Sequence, residues 1–422
     1  DRLRSRGLGD VYKRQVLDKD FNIIKEDVFV DGDSIVAIGN CERIADTVYD
    51  LNGNLLMPSF KNAHTHSAMT FGRSFADDLP LQPWLFDKIF PLEAKLTPQD
   101  IYDLSTLAFL EYLTSGTTAC FDMYYFPEMM AKASVDFGFR TVMTSGLNNF
   151  KESLEAVENY YKEFNNYNSL ISYKLGFHAE YTTDKELIKG LAKLAEKYQS
   201  PVFTHASETK SEVEDCINRN GMSPTKYLNE LGIFNYGGGA YHSVWIDDED
   251  IEIYKEKGIW AVINACSNAK LASGIAPVSK LLKNGIKIAV GTDGASSNNA
   301  LDMFREMYTI CATQKLNDKD ASSTDANDIL KASTVGSARC MGLNDCDVID
   351  VGKKADLIVI DMHRPSMQPI NNITKNLVYS GGKDVVKMTM INGKILYDNG
   401  EFKNIDIEKI YVNAQAVIDR IR

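Results

Sequence analysis

The stretch from residue 173 to residue 206, YKLGFHAEYTTDKELIKGLAKLAEKYQSPVFTHA, contains one complete unit of the chain's architecture. Tyr173 to Phe177 is a short apolar run with the length and composition of a buried strand. Asp184 stands where a helix wants its N-cap, and Leu187, Leu191, Leu194 and Tyr198 follow at helical spacing. Val202 to Thr204 then reads as the next strand. Strand, amphipathic helix and strand in that order predict neighbouring parallel strands joined by a crossover helix.

Working outward, strand-like runs recur at Leu55 to Met57, Thr117 to Phe121, Arg140 to Met143, Gly238 to Tyr241, Trp260 to Ile263 and Lys287 to Val290. With the two above, that makes eight. Such alternation through residues 59–351 predicts an α/β fold, a (β/α)8 TIM barrel; a doubly wound open sheet also alternates, usually with fewer strands. The flanks have a different texture. Asp27 to Val30 leads through Asp31-Gly32 into Ser34 to Ile38, and Lys387 to Leu396 turns on Asn392-Gly393, both hairpin signals. Residues 16–58 plus 352–422 are therefore expected to form one small β-sandwich domain built from both chain ends. Residues 1–15 are basic and Gly-punctuated, and the run DVYKRQ at 10–15 resembles the translation of a sequencing-library adapter. They are read as a disordered segment outside the fold, with native sequence resuming near Val16.

Composition narrows the function. Lys and Arg number 46 against 58 Asp and Glu, a net charge of −12, so no basic face is offered to phosphate backbones and nucleic acid is not an expected partner. Apolar runs such as Ile286 to Val290 fall far short of the roughly 20 residues that cross a bilayer, so no membrane partner is expected. Seven scattered cysteines without a Cys-x-x-Cys pair read as reduced thiols and a cytoplasmic location.

Of six histidines, His64, His66, His178, His205 and His242 fall at or just after expected barrel strands, as does Asp293 after the eighth. In a barrel these points share the C-terminal rim, where active sites lie. Residues two apart on an extended strand project to one side, so His64 and His66 can offer two imidazoles to one ion. A lone His-x-His pair is weak evidence. Convergence with His205 and Asp293 at strand ends 1, 5 and 8 makes a metal the better reading. His363, in MHRP at 362–365, reads as a surface residue.

Six blocks carry a family resemblance: PSFKNAHTH (58–66), FPLEAKLT (90–97), THASET (204–209), AYHSV (240–244), SNAKLASG (267–274) and GTDGASSN (291–298). Together they resemble the amidohydrolase superfamily, specifically its 5-methylthioadenosine/S-adenosylhomocysteine deaminase branch, over residues 16–402. Lys61 and Asn62 depart from the commoner Gly-Phe-Val-Asn, and Ala265 stands where a Pro usually precedes Cys-Ser-Asn. The resemblance implies one divalent metal per chain on His64, His66, His205 and Asp293, zinc first, with Fe2+ or Mn2+ also compatible. It makes Glu208 the proton shuttle to the purine ring, Asp293 the acceptor of the attacking water's proton, and His242 a hydrogen-bond donor to that water or the tetrahedral centre. Glu93 is expected to bind ribose hydroxyls and His178 to contact substrate, while Trp84 is either an apolar pocket wall or a core residue. Ser296 and Asn298 are either site residues or a turn behind Asp293.

The implied activity is metal-dependent hydrolytic deamination of adenine nucleosides bearing a 5′-thioether, with a small-molecule nucleoside as partner and homo-oligomerisation left open. Another aminated or chlorinated heterocycle, such as a guanine-type base or a triazine, is the alternative substrate, and a noncatalytic barrel scaffold the third reading. Members accepting S-adenosylhomocysteine resemble one another in an Arg after the third strand and another early in the next helix. Here Ser145 and Lys151 stand in those regions, so methylthioadenosine or adenosine is expected to be preferred, unless Lys210 supplies the missing charge.

Overall fold

The computed structural model of the chain describes residues 15–39 and 45–422. Eight strands form the larger sheet: β1 (Phe60–Thr65), β2 (Thr117–Met123), β3 (Arg140–Thr144), β4 (Ile171–Ala179), β5 (Val202–Ala206), β6 (Gly238–His242), β7 (Ile259–Ile263) and β8 (Ile288–Val290). Each pairs in parallel with the next. Just past β8, the Asp293 N–H donates to the His64 carbonyl in β1 at 3.0 Å, which brings the last strand back to the first and makes the sheet a barrel. Ala63, Phe121, Val142, Phe203, Tyr241 and Val262 fill its interior. The expected helix between β4 and β5 spans Lys185–Tyr198, and Asp184 caps it by accepting from the Glu186 and Leu187 N–H groups.

A separate seven-stranded sheet joins the two chain ends. It takes Gln15–Leu17, Ile23–Ile24 and Leu55–Pro58 from the N-terminal side and Leu357–Ile360, Val386–Ile391, Lys394–Asp398 and Glu401–Phe402 from the C-terminal side. The expected hairpin of Val28–Asp31 and Ser34–Ile38 lies over it, with Val28, Val30 and Ile35 buried against Val16, Leu357 and Met388. Asn392 and Gly393 both have positive φ, 48° and 74°, as the tight C-terminal turn requires.

Three sequence expectations need revision. Leu55 to Met57 is not the first barrel strand: it pairs with Leu357–Ile360 and Gln15–Leu17, and β1 begins three residues beyond Met57, at Phe60. Ser59 separates two consecutive buried strands, and their apolar runs carry no mark of which sheet each joins. Residues 1–14 of the segment set aside lie outside the described residues, but Gln15 pairs with Leu55. The C-terminal helix, Ile407–Ile421, packs mainly on the barrel: Ala414, Val417 and Ile421 join a cluster with Ile101 and Leu104 of the barrel helix Pro98–Thr114, while Ile407 and Ile410 pack against one that includes Ile391 and Leu396 of the small sheet.

Between barrel and sheet lies a buried charge cluster. Lys61 is fully buried and donates to Ser59 Oγ at 2.6 Å and Thr118 Oγ1 at 2.7 Å. Asp356 is 3.9 Å from Lys61 and accepts from Arg140 Nε at 2.8 Å and Nη2 at 3.1 Å. The unusual Lys61 thus serves the junction rather than the rim.

Candidate active site

The strand ends set the geometry. β1 carries His64 and ends at Thr65, so His66 begins the following loop; His205 lies in β5, His242 ends β6, and Asp293 follows β8. Ser207, His242, Ser243 and Asp293 all have positive φ, between 50° and 72°. Non-glycine residues avoid this region, and their gathering at one rim marks a place where side-chain aim outweighs backbone ease. Gly291 is required for a different reason: a Cβ there would meet His64 N at 2.7 Å and Asn264 Oδ1 at 2.7 Å.

His64, His66, His205 and Asp293 each bring one ligand atom to a common point, all within 4.8 Å of one another. His66 Nδ1 is held by the Met123 carbonyl at 2.7 Å and His205 Nδ1 by the His178 carbonyl at 2.7 Å. Those bonds place the protons on Nδ1 and leave the Nε2 lone pairs facing inward. His64 stacks on the Tyr241 ring at 3.7 Å, and neither of its ring nitrogens has a hydrogen-bond partner although the residue is fully buried. Burial pushes the His64 imidazole down to about 3 and, with neighbouring imidazoles, His205 well below the ordinary range. Burial favours neutral Asp293, but the His64 and His66 imidazoles beside it outweigh this and hold the carboxyl well below the usual range. For His66, burial opposes the charge and Asp293 more than reverses this, so its pKa is raised. Imidazoles converging on an ionised carboxylate, with buried nitrogens lacking any other partner, are the donor set of a divalent-metal site.

These ligands open into a cavity lined also by Trp84, Glu93, His178, Glu208 and His242. His64 lies behind the lining; every other site residue expected from the sequence meets in this one cavity. Glu208 is buried, which raises its carboxyl; His242 Nε2 stands 3.7 Å from its Oε2, and Ser273 Oγ donates to its Oε1 at 3.4 Å. Glu212 anchors the turn, accepting from the Ser207 N–H at 2.8 Å and the Glu208 N–H at 2.7 Å. His242 Nδ1 is bound to Asn268 Oδ1 at 2.7 Å. His178 binds Thr182 Oγ1 through Nδ1 at 2.8 Å, and burial pushes it down to about 4, so it is neutral. Trp84 is buried yet its Nε1 finds no acceptor, which places it on the cavity wall with a spare donor.

Glu93 accepts from Tyr124 OH at 2.8 Å and lies 3.5 Å from Lys151 Nζ, which also sits 3.9 Å over the Tyr125 ring. Ser145 is fully buried and directs its hydroxyl to Glu152. Lys210 is exposed and pairs with Glu214, so it brings no charge to the cavity. Ser296 donates to the Met69 carbonyl at 2.8 Å and Asn298 to the Thr292 carbonyl at 2.7 Å; both belong to the turn behind Asp293. His363 is exposed, as expected. Sequence reasoning missed Tyr124, Tyr125 and Tyr181, aromatic residues whose only sequence signal is closeness to a strand end, and gave no role to Ser267 and Ser297, which stand inside the quoted blocks.

A family model described as the amidohydrolase family matches residues 55–396. The chain belongs to the amidohydrolase family. It is 40% identical over 398 residues to a 5-methylthioadenosine/S-adenosylhomocysteine deaminase of Caldanaerobacter subterraneus, covering 92% of both chains. A 5′-deoxyadenosine deaminase of Methanobrevibacter smithii is 38% identical, covering 96% of this chain and 95% of its own. Among solved structures, a Xanthomonas campestris adenosine deaminase with bound zinc superposes with a TM-score of 0.92 at 31% identity, covering 100% of this chain and 98% of that one. The candidate ligands at the ends of β1, β5 and β8 thus stand at a cavity that also holds the carboxyls of Glu93 and Glu208 and the imidazoles of His178 and His242. No helix among the described residues is long and apolar enough to cross a membrane, and the six described cysteines are all free.

Proposed function

We propose that this amidohydrolase hydrolytically deaminates adenine nucleosides carrying a 5′-thioether or a 5′-deoxy group, releasing ammonia, with the barrel of residues 59–351 carrying the chemistry. The observation that carries the reading is that Glu208 and Glu93 face one cavity: Glu208 beside the metal ligands, and Glu93 at the edge lined by Tyr124 and Tyr125. A ring-nitrogen partner and a hydroxyl partner suit a nucleoside better than a free base. His64, His66, His205 and Asp293 would hold the ion, taken here as zinc, which when bound supplies the Lewis acidity that makes water a nucleophile near neutral pH.

The remaining steps belong to the side chains. Glu208, whose carboxyl burial raises, donates a proton to the ring nitrogen next to the attacked carbon and so makes that carbon electrophilic. Asp293 is held ionised and accepts the proton of the attacking water. Asn268 holds His242 through Nδ1 and so turns its Nε2 towards the oxygen on the tetrahedral carbon. As the C–N bond breaks, Asp293 passes the water's proton to the departing amine, which leaves as ammonia, and Glu208 recovers a proton from the hydroxyl on the tetrahedral carbon as the C=O bond forms. His178 contacts the purine as a neutral ring, and Trp84 closes the apolar side.

The 5′ end has little to hold an anion. Among the described residues lining the cavity there is neither Lys nor Arg, and the nearby Lys151 is engaged by Glu93 and Tyr125. Small apolar 5′ groups are therefore preferred over an amino-acid tail. Ammonia release from adenosine, 5′-deoxyadenosine, methylthioadenosine, S-adenosylhomocysteine, adenine and guanine tests the reading. Turnover concentrated on the first three supports it; equal turnover of free adenine, or none of any nucleoside, rejects it.

A further inference from the structure

Glu306, on the helix Met303–Asp318 outside the barrel, is fully buried, no ion pair among the described residues includes it, and burial pushes its carboxyl up to about 8. Burying an acid without a counter-ion costs several kcal/mol in general, and a neutral side chain of the same size would fill the space more cheaply. The reason for an acid lies in its two oxygens. Oε2 accepts the Cys266 N–H at 3.1 Å, at the start of the loop after β7, and Oε1 accepts Asn298 Nδ2 at 2.7 Å, in the loop after β8. One side chain therefore joins two active-site loops.

What those loops carry is specific. Ser267, next to Cys266, donates to Asp293 Oδ2 at 2.6 Å, and Ser297, next to Asn298, donates to the same oxygen at 2.8 Å. With Oδ2 taken by both hydroxyls, Oδ1 is the oxygen left facing His64 and His66, at 3.5 and 3.3 Å. Asn268, two residues past Cys266, holds His242. We infer that Glu306 is a positioning residue that locks the β7 and β8 loops together and so aims Asp293 at the ion and His242 at the substrate. Of the side chains that fit, only a carboxyl group turns an oxygen to both donors; an amide presents NH2 to one of the two and loses that tie. The inference rests on Asp293 being a metal ligand.

Cobalt(II) is the probe, because its visible bands report ligand geometry without turnover. Parent, Glu306→Gln, Asn298→Ala and Met307→Leu proteins are loaded with Co(II), and the spectrum, retention against a chelator, thermal midpoint, kcat and KM are measured. Met307 is a buried neighbour on the same helix, so Met307→Leu controls for packing. Glu306→Gln is expected to shift the bands and weaken retention by about 10- to 100-fold, the range for groups that orient metal ligands. Its kcat should fall about 10-fold or more with KM within about 3-fold, since an ill-aimed group costs reaction more than binding. Met307→Leu should leave the bands in place at whatever midpoint it has. If Glu306→Gln fails to fold, Asn298→Ala, which cuts one tie, carries the test with the same direction. Parent-like bands and retention in the folded variant overturn the inference. A parent that binds no Co(II), or an Asp293→Ala protein that binds it equally, overturns the metal site instead.

Discussion

Removing Asp356 and removing Lys61 should have opposite consequences, although the two residues belong to one buried cluster. Asp356 accepts two hydrogen bonds from Arg140 and the Asn392 N–H at 2.9 Å, with Lys61 3.9 Å away. Burial disfavours its charge, but Arg140 and Lys61 outweigh this and hold the carboxyl below its ordinary range. The cluster holds two cations and one anion. Asp356→Ala leaves both cations buried and facing each other, a loss of about 3 to 5 kcal/mol. An unfolding entropy of about 2.1 cal/mol/K per residue over this chain gives roughly 0.9 kcal/mol/K, so the midpoint should drop by roughly 3 to 6 °C. Lys61→Met instead leaves the neutral Arg140–Asp356 pair and removes a buried charge, so its midpoint should stay within about 1 °C of the parent or rise. In the double variant Lys61→Met should recover part of the Asp356→Ala loss. Scanning calorimetry of the metal-loaded proteins measures all three. Lys61→Met costing as much as Asp356→Ala would show that packing, not charge balance, governs this junction.

Other outcomes are equally open to measurement. Elemental analysis should find about one divalent ion per chain in the parent and a large loss in His64→Ala and Asp293→Ala; equal metal in all three removes the ligand assignment. Glu208→Gln should keep fold and metal while turnover falls by roughly 100-fold or more, and near-normal turnover would take Glu208 out of the reaction. With methylthioadenosine and S-adenosylhomocysteine competing in one tube, the former should have the higher kcat/KM; the reverse would mean that Lys151 leaves Glu93 to bind the carboxylate. Burial pushes Glu152 up to about 7 from an ordinary value near 4.5. The folded protein then holds that proton through a window where the unfolded chain has lost it, so the proton's contribution to stability disappears as pH rises through about 7. The midpoint of Glu152→Gln relative to the parent should therefore be higher at pH 8 than at pH 5.5, and a flat or falling difference contradicts the assignment.

What was legible in the sequence is what residue type and local period determine. Strand-length apolar runs alternating with helices such as Asp184 to Tyr198 dictated a barrel, because period and length are properties of a short window. The ligand set was legible too, since His64, His66, His205 and Asp293 each follow a strand and every strand of such a barrel ends at the same rim. Partner choice was not legible. Leu55–Pro58 and Phe60–Thr65 are both buried strands, and only pairing with Leu357–Ile360, about 300 positions away, puts the first in the other sheet. Lys61 looked like a neighbour of the chemistry, but alternation along β1 points it at Asp356. Glu306 carries no motif at all: its two donors, Cys266 and Asn298, come from separate loops that only barrel closure brings to one carboxyl group. Hydrogen bonds and ion pairs act over a few ångströms of space whatever the chain distance, so their partners are decided when the tertiary structure forms, while the residues able to make them are decided by the sequence.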